Sequence, residues 1–310
     1  MIFVDVRGNV GNQLFQDALA QRIQKINGQK IIFSTYYIKK YSKKYGIQFS
    51  LDEFITNKKN VSVSEEKPKL LYRILMQFGR ILGRISNVKG KGRIDYFIFK
   101  ILSYFGIYIW LKEFFVNIKI SEHKNYYLCG YWQSEKYFQD ISNELRNEIL
   151  NTFVVHKKNK DLLKVIKTSN SVCVTIRRGD YVNNEKFKKI YYICDEAYFR
   201  NAIKMLQEKT NNLSLIIFSD DIDWARKNIK VNLPTYFESG KDSLSQKLLL
   251  MSSCKHFILS NSSFSWWAEF LSKSSKKIVI APEKWYSDNR RVDIWRENWL
   301  LLGKKGDMID

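Results

Sequence analysis

The segment VCVTIRRGDY, Val172 to Tyr181, decides the predicted fold, because an apolar strand ends there on two arginines, a glycine and an aspartate. Successive strand residues point to opposite faces, so Arg177 and Arg178 can serve one ligand only where the strand stops. Open α/β sheets bind ligands at the carboxyl ends of their strands, and the planar arginine fork fits phosphate oxygens. The segment therefore predicts a site for a phosphorylated ligand. The alternative is a surface arginine pair that bridges to Asp180.

The same pattern, an apolar run followed by a polar or turn-forming residue, recurs three times further along the chain. The runs are LIIF, FILS and IVIA, and the residues that follow them are Ser219, Asp220 and Asp221, then Asn261, Ser262 and Ser263, and finally Pro282. Helices are predicted between these strands, over Asp195–Lys209, Asp223–Asn228, Ser243–Ser253 and Ser265–Ser272. This alternation predicts an α/β fold with a parallel, doubly wound sheet whose polar residues gather at one edge.

The start of the chain reads as one βαβ unit that contains a glycine turn. Its predicted parts are the strand Ile2–Val6, the turn Gly8–Asn12, the helix Gln13–Asn27 and the strand Lys30–Ser34. Such a turn brings backbone N–H groups and a helix N-terminus close to an anion. A plain tight turn is the alternative.

Two domains are predicted, 1–155 and 156–310, and a strand over Tyr126–Trp132 and a helix over Glu135–Phe153 lead from the first to the second. A composition of 45% hydrophobic and 15% aromatic residues supports a substantial core. The four cysteines form no CxxC pair, so reduced thiols are expected.

The beginning of the sequence, MIFVDVRGNVGNQ, reads directly as a strand and a turn, so no signal peptide is predicted. The apolar stretch Ile101–Leu111 is about half the length that crosses a bilayer. A cytoplasmic protein without a transmembrane helix is expected, with a peripheral position on the inner membrane left open.

The net charge of +21 predicts an anionic partner, which could be nucleic acid, a phosphorylated ligand or an acidic membrane surface. Residues 67–119 hold eleven Lys and Arg against only Asp95 and Glu113. Within them, Leu71–Ile85 has the apolar spacing of a basic amphipathic helix. That helix either packs on its own domain or docks onto an anionic leaflet. Nucleic acid is not expected, since no zinc-finger, RNP or helix-turn-helix pattern accompanies the charge.

Three polar clusters, RRGD, SDD and NSS, follow predicted strands. Together they could hold a nucleoside diphosphate, which is a stronger indication than any one cluster gives alone. The arginines would hold the pyrophosphate. Ser262 and Ser263 would add donors together with their helix amides. Asp220 or Asp221 would accept from a purine N–H or a ribose hydroxyl.

The triplet Asp221-Ile222-Asp223 is a DxD pattern, which in some sugar-transfer enzymes holds a divalent metal and the donor diphosphate. Trp224, Ala225 and Ile229 favour a different interpretation, in which Asp223 begins a helix and caps its amides. The three histidines lack metal-ligand spacing. A metal-free site built on arginines is therefore predicted.

Five stretches of the chain resemble the bacterial α-1,2-fucosyltransferases of glycosyltransferase family 11, and the similarity spans residues 1 to about 300. The stretches are RGNVGNQLFQDALA at 7–20, GYWQSEKYF at 130–138, IRRGDYV at 176–182, FSDDIDW at 218–224 and SNSSFSWWAEFL at 260–271. One departure is clear: Thr175 stands where the family has a histidine, two residues before the first arginine.

The resemblance implies a GT-B-like fold, with two Rossmann-like domains facing a cleft. The carboxyl-terminal domain would hold GDP-fucose, and the amino-terminal domain would shape the site of a galactose-terminated acceptor, which could be lipid-linked. It implies inverting transfer of L-fucose to the 2-hydroxyl of the galactoside, without a metal or other cofactor, in surface-polysaccharide or O-antigen assembly. A transferase for another nucleotide sugar and an inactive, nucleotide- or membrane-binding relative are the alternatives.

Candidate site residues follow from the matched motifs. Arg177 and Arg178 would stabilise the departing diphosphate, and Asp180 would orient them. Asn12 and Gln13 would approach the diphosphate or the sugar from the other domain. No general base is assigned; the carboxylates near the motifs are Asp17, Glu135, Asp180 and Glu185.

Overall fold

The computed structural model describes residues 1–55, 59–66, 70, 73–75, 77, 92–121 and 125–303. The chain divides into two compact units, which are Met1–Leu145 with Arg291–Ile294 and Arg146–Arg290 with Trp295–Asp310. Each unit contains one parallel sheet, so the predicted α/β class with two parallel sheets is confirmed.

The first unit is built on a five-stranded sheet in the order β3-β2-β1-β5-β4. Its strands are β1 (Ile2–Asp5), β2 (Ile31–Ser34), β3 (Val61–Ser64), β4 (Ile107–Trp110) and β5 (Tyr126–Gly130). Its helices are α1 (Val10–Asn27), α2 (Tyr36–Tyr45), α3 (Gly92–Tyr104) and the first turn of α4 (Ser142–Asn151), whose remaining residues belong to the second unit. Apolar residues of α1 such as Leu14, Phe15 and Ala18 are fully buried, and the helix ends at Gly28 in the left-handed conformation.

Two predicted boundaries in this unit are wrong. Helix α1 begins at Val10 rather than Gln13, because the turn needs only Gly8 at φ 70° and extended Asn9 as N-cap. The predicted helix Glu135–Phe153 is two short 3-10 turns followed by α4, since Phe138 adopts φ −144° between them. The predicted basic helix Leu71–Ile85 lies largely outside the described residues.

The second unit is built on a six-stranded sheet in the order β11-β10-β9-β6-β7-β8. Its strands are β6 (Asn170–Ile176), β7 (Leu213–Ser219), β8 (Thr235–Phe237), β9 (His256–Ile258), β10 (Val279–Pro282) and β11 (Trp299–Leu302). Its further helices are α5 (Lys160–Thr168), α6 (Gly179–Asn183), α7 (Glu185–Tyr191), α8 (Glu196–Lys209), α9 (Ile222–Asn228), α10 (Leu244–Ser252) and α11 (Ser263–Leu271). Strands β6 and β7 are buried almost throughout, which explains their continuous apolar sequence.

Strand order in the second sheet brings the predicted polar clusters together. β6 lies between β9 and β7, and all three run parallel. Their carboxyl ends therefore share one edge, where IRRGDY follows β6, SDD closes β7 and SNSS follows β9. Among the described residues, no helix has both the length and the hydropathy needed to cross a membrane.

Candidate active site

Arg177 lies just beyond β6 and is held between two carboxylates. Its Nη2 is 2.7 Å from Asp180 Oδ1, and its Nη1 is 2.9 Å from Asp220 Oδ2. Burial disfavours the charged guanidinium, but Asp220 and Asp180 outweigh it, so the pKa of Arg177 is raised. The side chain is still 31% exposed, so this charge can meet a ligand.

Arg178 is enclosed by its neighbours and has less access to solvent. Its guanidinium lies 3.9 Å from the centre of the Trp224 ring, its Nη1 donates to the Tyr192 hydroxyl at 3.1 Å, and its Nε donates to Asp221 at 3.2 Å. Only 11% of the side chain is exposed. The two adjacent arginines thus differ: Arg177 is available to a ligand, and Arg178 fixes the surrounding loop.

Asp220 joins the loops that follow β6 and β7. Besides its contact with Arg177, its Oδ1 accepts the backbone N–H of Arg178 at 2.8 Å. A Cβ atom added to Gly179 would lie 2.7 Å from Asp220 Oδ2. A larger residue at position 179 would therefore displace the Asp220 carboxylate from its present contacts.

Asp221, not Asp223, is the N-cap of α9, which corrects the prediction for this helix. Asp221 Oδ1 accepts the Trp224 N–H at 3.2 Å, and its own N–H donates to Ser219 Oγ at 2.9 Å. The other carboxylate oxygen pairs with Arg178, so Asp221 is engaged on both sides. The described ranges contain no group of three His, Cys, Asp or Glu side chains placed to hold a metal ion. A metal-free reaction stays a prediction.

Ser262 and Ser263 form the start of α11, two residues before the predicted start at Ser265. Ser262 is the N-cap and makes no side-chain cap hydrogen bond, although its carbonyl accepts the Trp266 N–H at 3.0 Å. Both serines are half-buried, and the first turn of α11 carries no acidic residue. Amide donors of a first helical turn lack intrahelical partners, so this end of α11 favours an anion.

Thr175 ties β6 to the start of α11. Its buried hydroxyl accepts the Ser260 N–H at 3.0 Å, and Ser260 Oγ lies 3.4 Å from Ser265 Oγ. Threonine at the position of the family's histidine thus supports the site through these contacts, which sequence analysis did not find.

Two further residues that sequence analysis missed stabilise the Arg177 loop. Tyr181 stacks on Tyr191 with ring centres 5.0 Å apart and donates to the Asn261 carbonyl at 3.2 Å. Burial is the main cause that raises the pKa of Tyr181. The Asn261 amide donates to the Tyr191 and Trp285 carbonyls at 2.9 and 3.0 Å, so this asparagine has a structural role. The sequence signal that could have indicated this packing is the pair of tyrosine-containing segments DYV, with Tyr181, and KIYYI, with Tyr191.

Asn12 and Gln13 belong to the first unit, on the first turn of α1. Gln13 is fully buried, and its amide donates to the Gly8 and Gln48 carbonyls and accepts the Ser50 N–H. Asn12 is half-buried and accepts from the Gln133 amide. We therefore assign Gln13 to holding the glycine turn, with Asn12 the more accessible of the two.

Among the carboxylates considered for the general base, Asp180 contacts Arg177. Asp17 is buried within the first unit and accepts from Gln21 at 2.8 Å, and Glu185 pairs loosely with Lys188.

Comparison with known proteins bears on this arrangement. The Glycosyl transferase family 11 profile matches residues 1–303. An alpha-1,2-colitosyltransferase of Escherichia coli is 30% identical, with 98% of this chain and 99% of that protein covered. The O-antigen biosynthesis glycosyltransferase WbnK of Escherichia coli is 27% identical, with 95% and 98% covered. Galactoside 2-alpha-L-fucosyltransferase SEC1 of Bos taurus is 26% identical, with 54% and 46% covered.

The match over nearly the whole chain confirms the resemblance seen in the five motifs, and with it the assignment as a glycosyltransferase. The chain belongs to glycosyl transferase family 11.

Proposed function

We propose that this chain transfers L-fucose from GDP-fucose to the 2-hydroxyl of a galactoside, with inversion at the anomeric carbon. The second unit would hold the nucleotide sugar, and the first would carry the acceptor. The observation that carries the proposal is Arg177, a partly exposed cation at the shared carboxyl edge of β9, β6 and β7.

The proposed task of the site is to stabilise the departing diphosphate. As the sugar–oxygen bond breaks, negative charge builds on the diphosphate, and Arg177 would stabilise it most strongly in the transition state. Ser262, Ser263 and the first-turn amides of α11 would add donors across the same edge. Arg178 would act as a positioning residue, because its donors already engage Asp221 and Tyr192.

Ligand binding must rearrange the ion pairs around Arg177. Two guanidinium groups face three carboxylates in this cluster, so negative charge exceeds positive charge by one before any ligand arrives. A diphosphate would take the place of a carboxylate on Arg177. The released Asp180 or Asp220 could then accept a ribose hydroxyl or a guanine N–H, which is why we favour a purine diphosphate over inorganic phosphate.

A second candidate donor carries colitose, because the most similar relatives covered over nearly their whole length include an alpha-1,2-colitosyltransferase. Fucose differs from colitose by a hydroxyl at carbon 3, and a site that bonds this hydroxyl would reject the sugar that lacks it. The similarity to WbnK, an O-antigen biosynthesis glycosyltransferase, supports O-antigen assembly as the setting.

The first experiment is thermal stabilisation by GDP, UDP and GMP, each with EDTA and with magnesium. We expect selective stabilisation by GDP that survives EDTA. Replacing Arg177 by alanine removes a charged hydrogen-bond donor, so GDP affinity should fall by about 10- to 100-fold. Arg200→Ala is the matched control, because Arg200 is an exposed arginine of the same unit that pairs with Glu196. Equal loss in both variants, or dependence on magnesium, would contradict the proposal.

The donor is then tested by transfer to a galactoside from GDP-fucose and GDP-colitose in competition. We expect an α-1,2-linked fucosyl product and a turnover about 10²- to 10³-fold lower for Arg177→Ala. Exclusive use of GDP-colitose would show that the donor is GDP-colitose rather than GDP-fucose. The proposed diphosphate site would not be contradicted by that result.

A further inference from the structure

Helix α3 of the first unit presents an aromatic face to solvent. Phe97 is 64% exposed, Ile101 is 48% exposed and Tyr104 is 75% exposed, and their spacing places them on one side of the helix. Phe105 follows directly at 70% exposure, with its ring 5.6 Å from that of Tyr104. Exposed apolar groups this dense mark an interaction surface.

The opposite side of α3 packs on its own unit, so the exposed face is not a misplaced core. Phe99 is 3% exposed and makes edge contacts with Tyr108 and Trp110 of β4. Leu102 packs against the cluster that includes Ile107 and Tyr127. The helix is therefore fixed by its inner face, while the side chains of its outer face are exposed.

Charge on α3 favours an anionic partner. The acidic side chain of the helix, Asp95, is 10% exposed and pairs with Lys112 at 3.0 Å, so it is directed away from the aromatic face. Lys100 is exposed, with its Nζ 5.2 Å from the centre of the Tyr96 ring. The surrounding sequence, 67–119, carries eleven basic residues against two acidic ones.

We propose that the face formed by Phe97, Ile101, Tyr104, Phe105 and Lys100 docks onto an anionic lipid bilayer. Aromatic rings and lysine stems suit the boundary between headgroups and acyl chains, and each basic residue near an anionic surface strengthens binding about fivefold. A second copy of this chain is disfavoured, since two chains of net charge +21 would bring like-charged faces together. The inference does not depend on the donor or the acceptor.

The test is cosedimentation of the full chain with phosphatidylcholine vesicles that contain about one-third phosphatidylglycerol. We expect binding that weakens with salt and is lost on pure phosphatidylcholine. The variant Phe97→Ser with Phe105→Ser should reduce partitioning at least about tenfold, and Lys100→Glu should reduce it further. The matched control is Val154→Ser with Tyr236→Ser, which removes two exposed apolar side chains from the second unit.

Thermal unfolding establishes that each variant is folded before binding is compared. Unchanged partitioning of the Phe97/Phe105 variant, equal loss in the control, or equal binding to neutral vesicles would overturn the proposal. A change in sedimentation mass that disappears with the same substitutions would also overturn it, because it would assign this face to self-association.

Discussion

Gly179 is the residue whose size the site constrains most directly. Alanine is favoured over glycine inside a helix, but here its Cβ would lie 2.7 Å from Asp220 Oδ2. We expect Gly179→Ala to displace Asp220 from the Arg178 N–H, so that the loop carrying Arg177 shifts and GDP affinity falls about five- to tenfold. Isothermal titration calorimetry measures the GDP affinity of each protein.

Gly28→Ala is the control. It strains a left-handed helix end with open space around it, so it should lower stability and leave GDP affinity unchanged. A stabilised Gly179→Ala protein with normal affinity would contradict the assignment.

At the scale of elements, His256 makes β9 sensitive to acid. Its Nδ1 accepts the Ile278 N–H at 3.1 Å, so the proton lies on Nε2, which faces Asn170 Oδ1 at 3.1 Å. Burial, and then the charge of Lys255, lower the pKa of His256 below its ordinary value of 6.5. The unfolded chain therefore binds a proton more readily than the folded one, and stability should fall as pH drops through about 6.5.

The acid sensitivity from His256 is measured as the difference in unfolding free energy between about pH 8 and about pH 5.5. His256→Gln should remove part of that difference, whereas His156→Gln, at an exposed position, should leave it unchanged. An identical pH dependence in all three proteins would contradict the prediction.

The elements that sequence predicts best are the central strands and the helices after them. β6 and β7 are buried on both faces, so their apolar runs are unambiguous. The edge strands β3, with sequence VSVS, and β8, with three residues, were not predicted, because their neighbours rather than their own residues fix them in the sheet. The helix after β7 was predicted correctly, but its N-cap was predicted at Asp223 and lies at Asp221. Sequence alone offers two aspartates for this position, and only the structure shows that Asp221 both caps the helix and accepts from Arg178.

At the scale of the whole molecule, the division into two units has a measurable consequence for the four buried cysteine thiols. Cys129 lies in the first unit, and Cys173, Cys194 and Cys254 lie in the second. Buried thiols react only when the protein opens, and a ligand that binds one unit slows the opening of that unit. GDP at about ten times its Kd should therefore slow labelling of the three second-unit thiols about tenfold and leave Cys129 unaffected.

Mass spectrometry after timed labelling resolves the sites, and Arg177→Ala should abolish the protection by GDP. Equal protection of all four would show that the units open together.

The carboxylates around Arg177 have a consequence for a protein this basic. With a net charge of +21, the chain attracts every small anion in its surroundings. Asp180 and Asp220 act as built-in counter-ions, and an incoming anion must compete with both of them for the same guanidinium. Chloride and ionised simple carboxylates carry no hydrogen-bond donor to offer the carboxylates they would release. A ligand that brings hydroxyl or N–H donors as well as negative charge can engage the guanidinium and the carboxylates at once, so we expect ordinary salts to compete weakly with such a ligand.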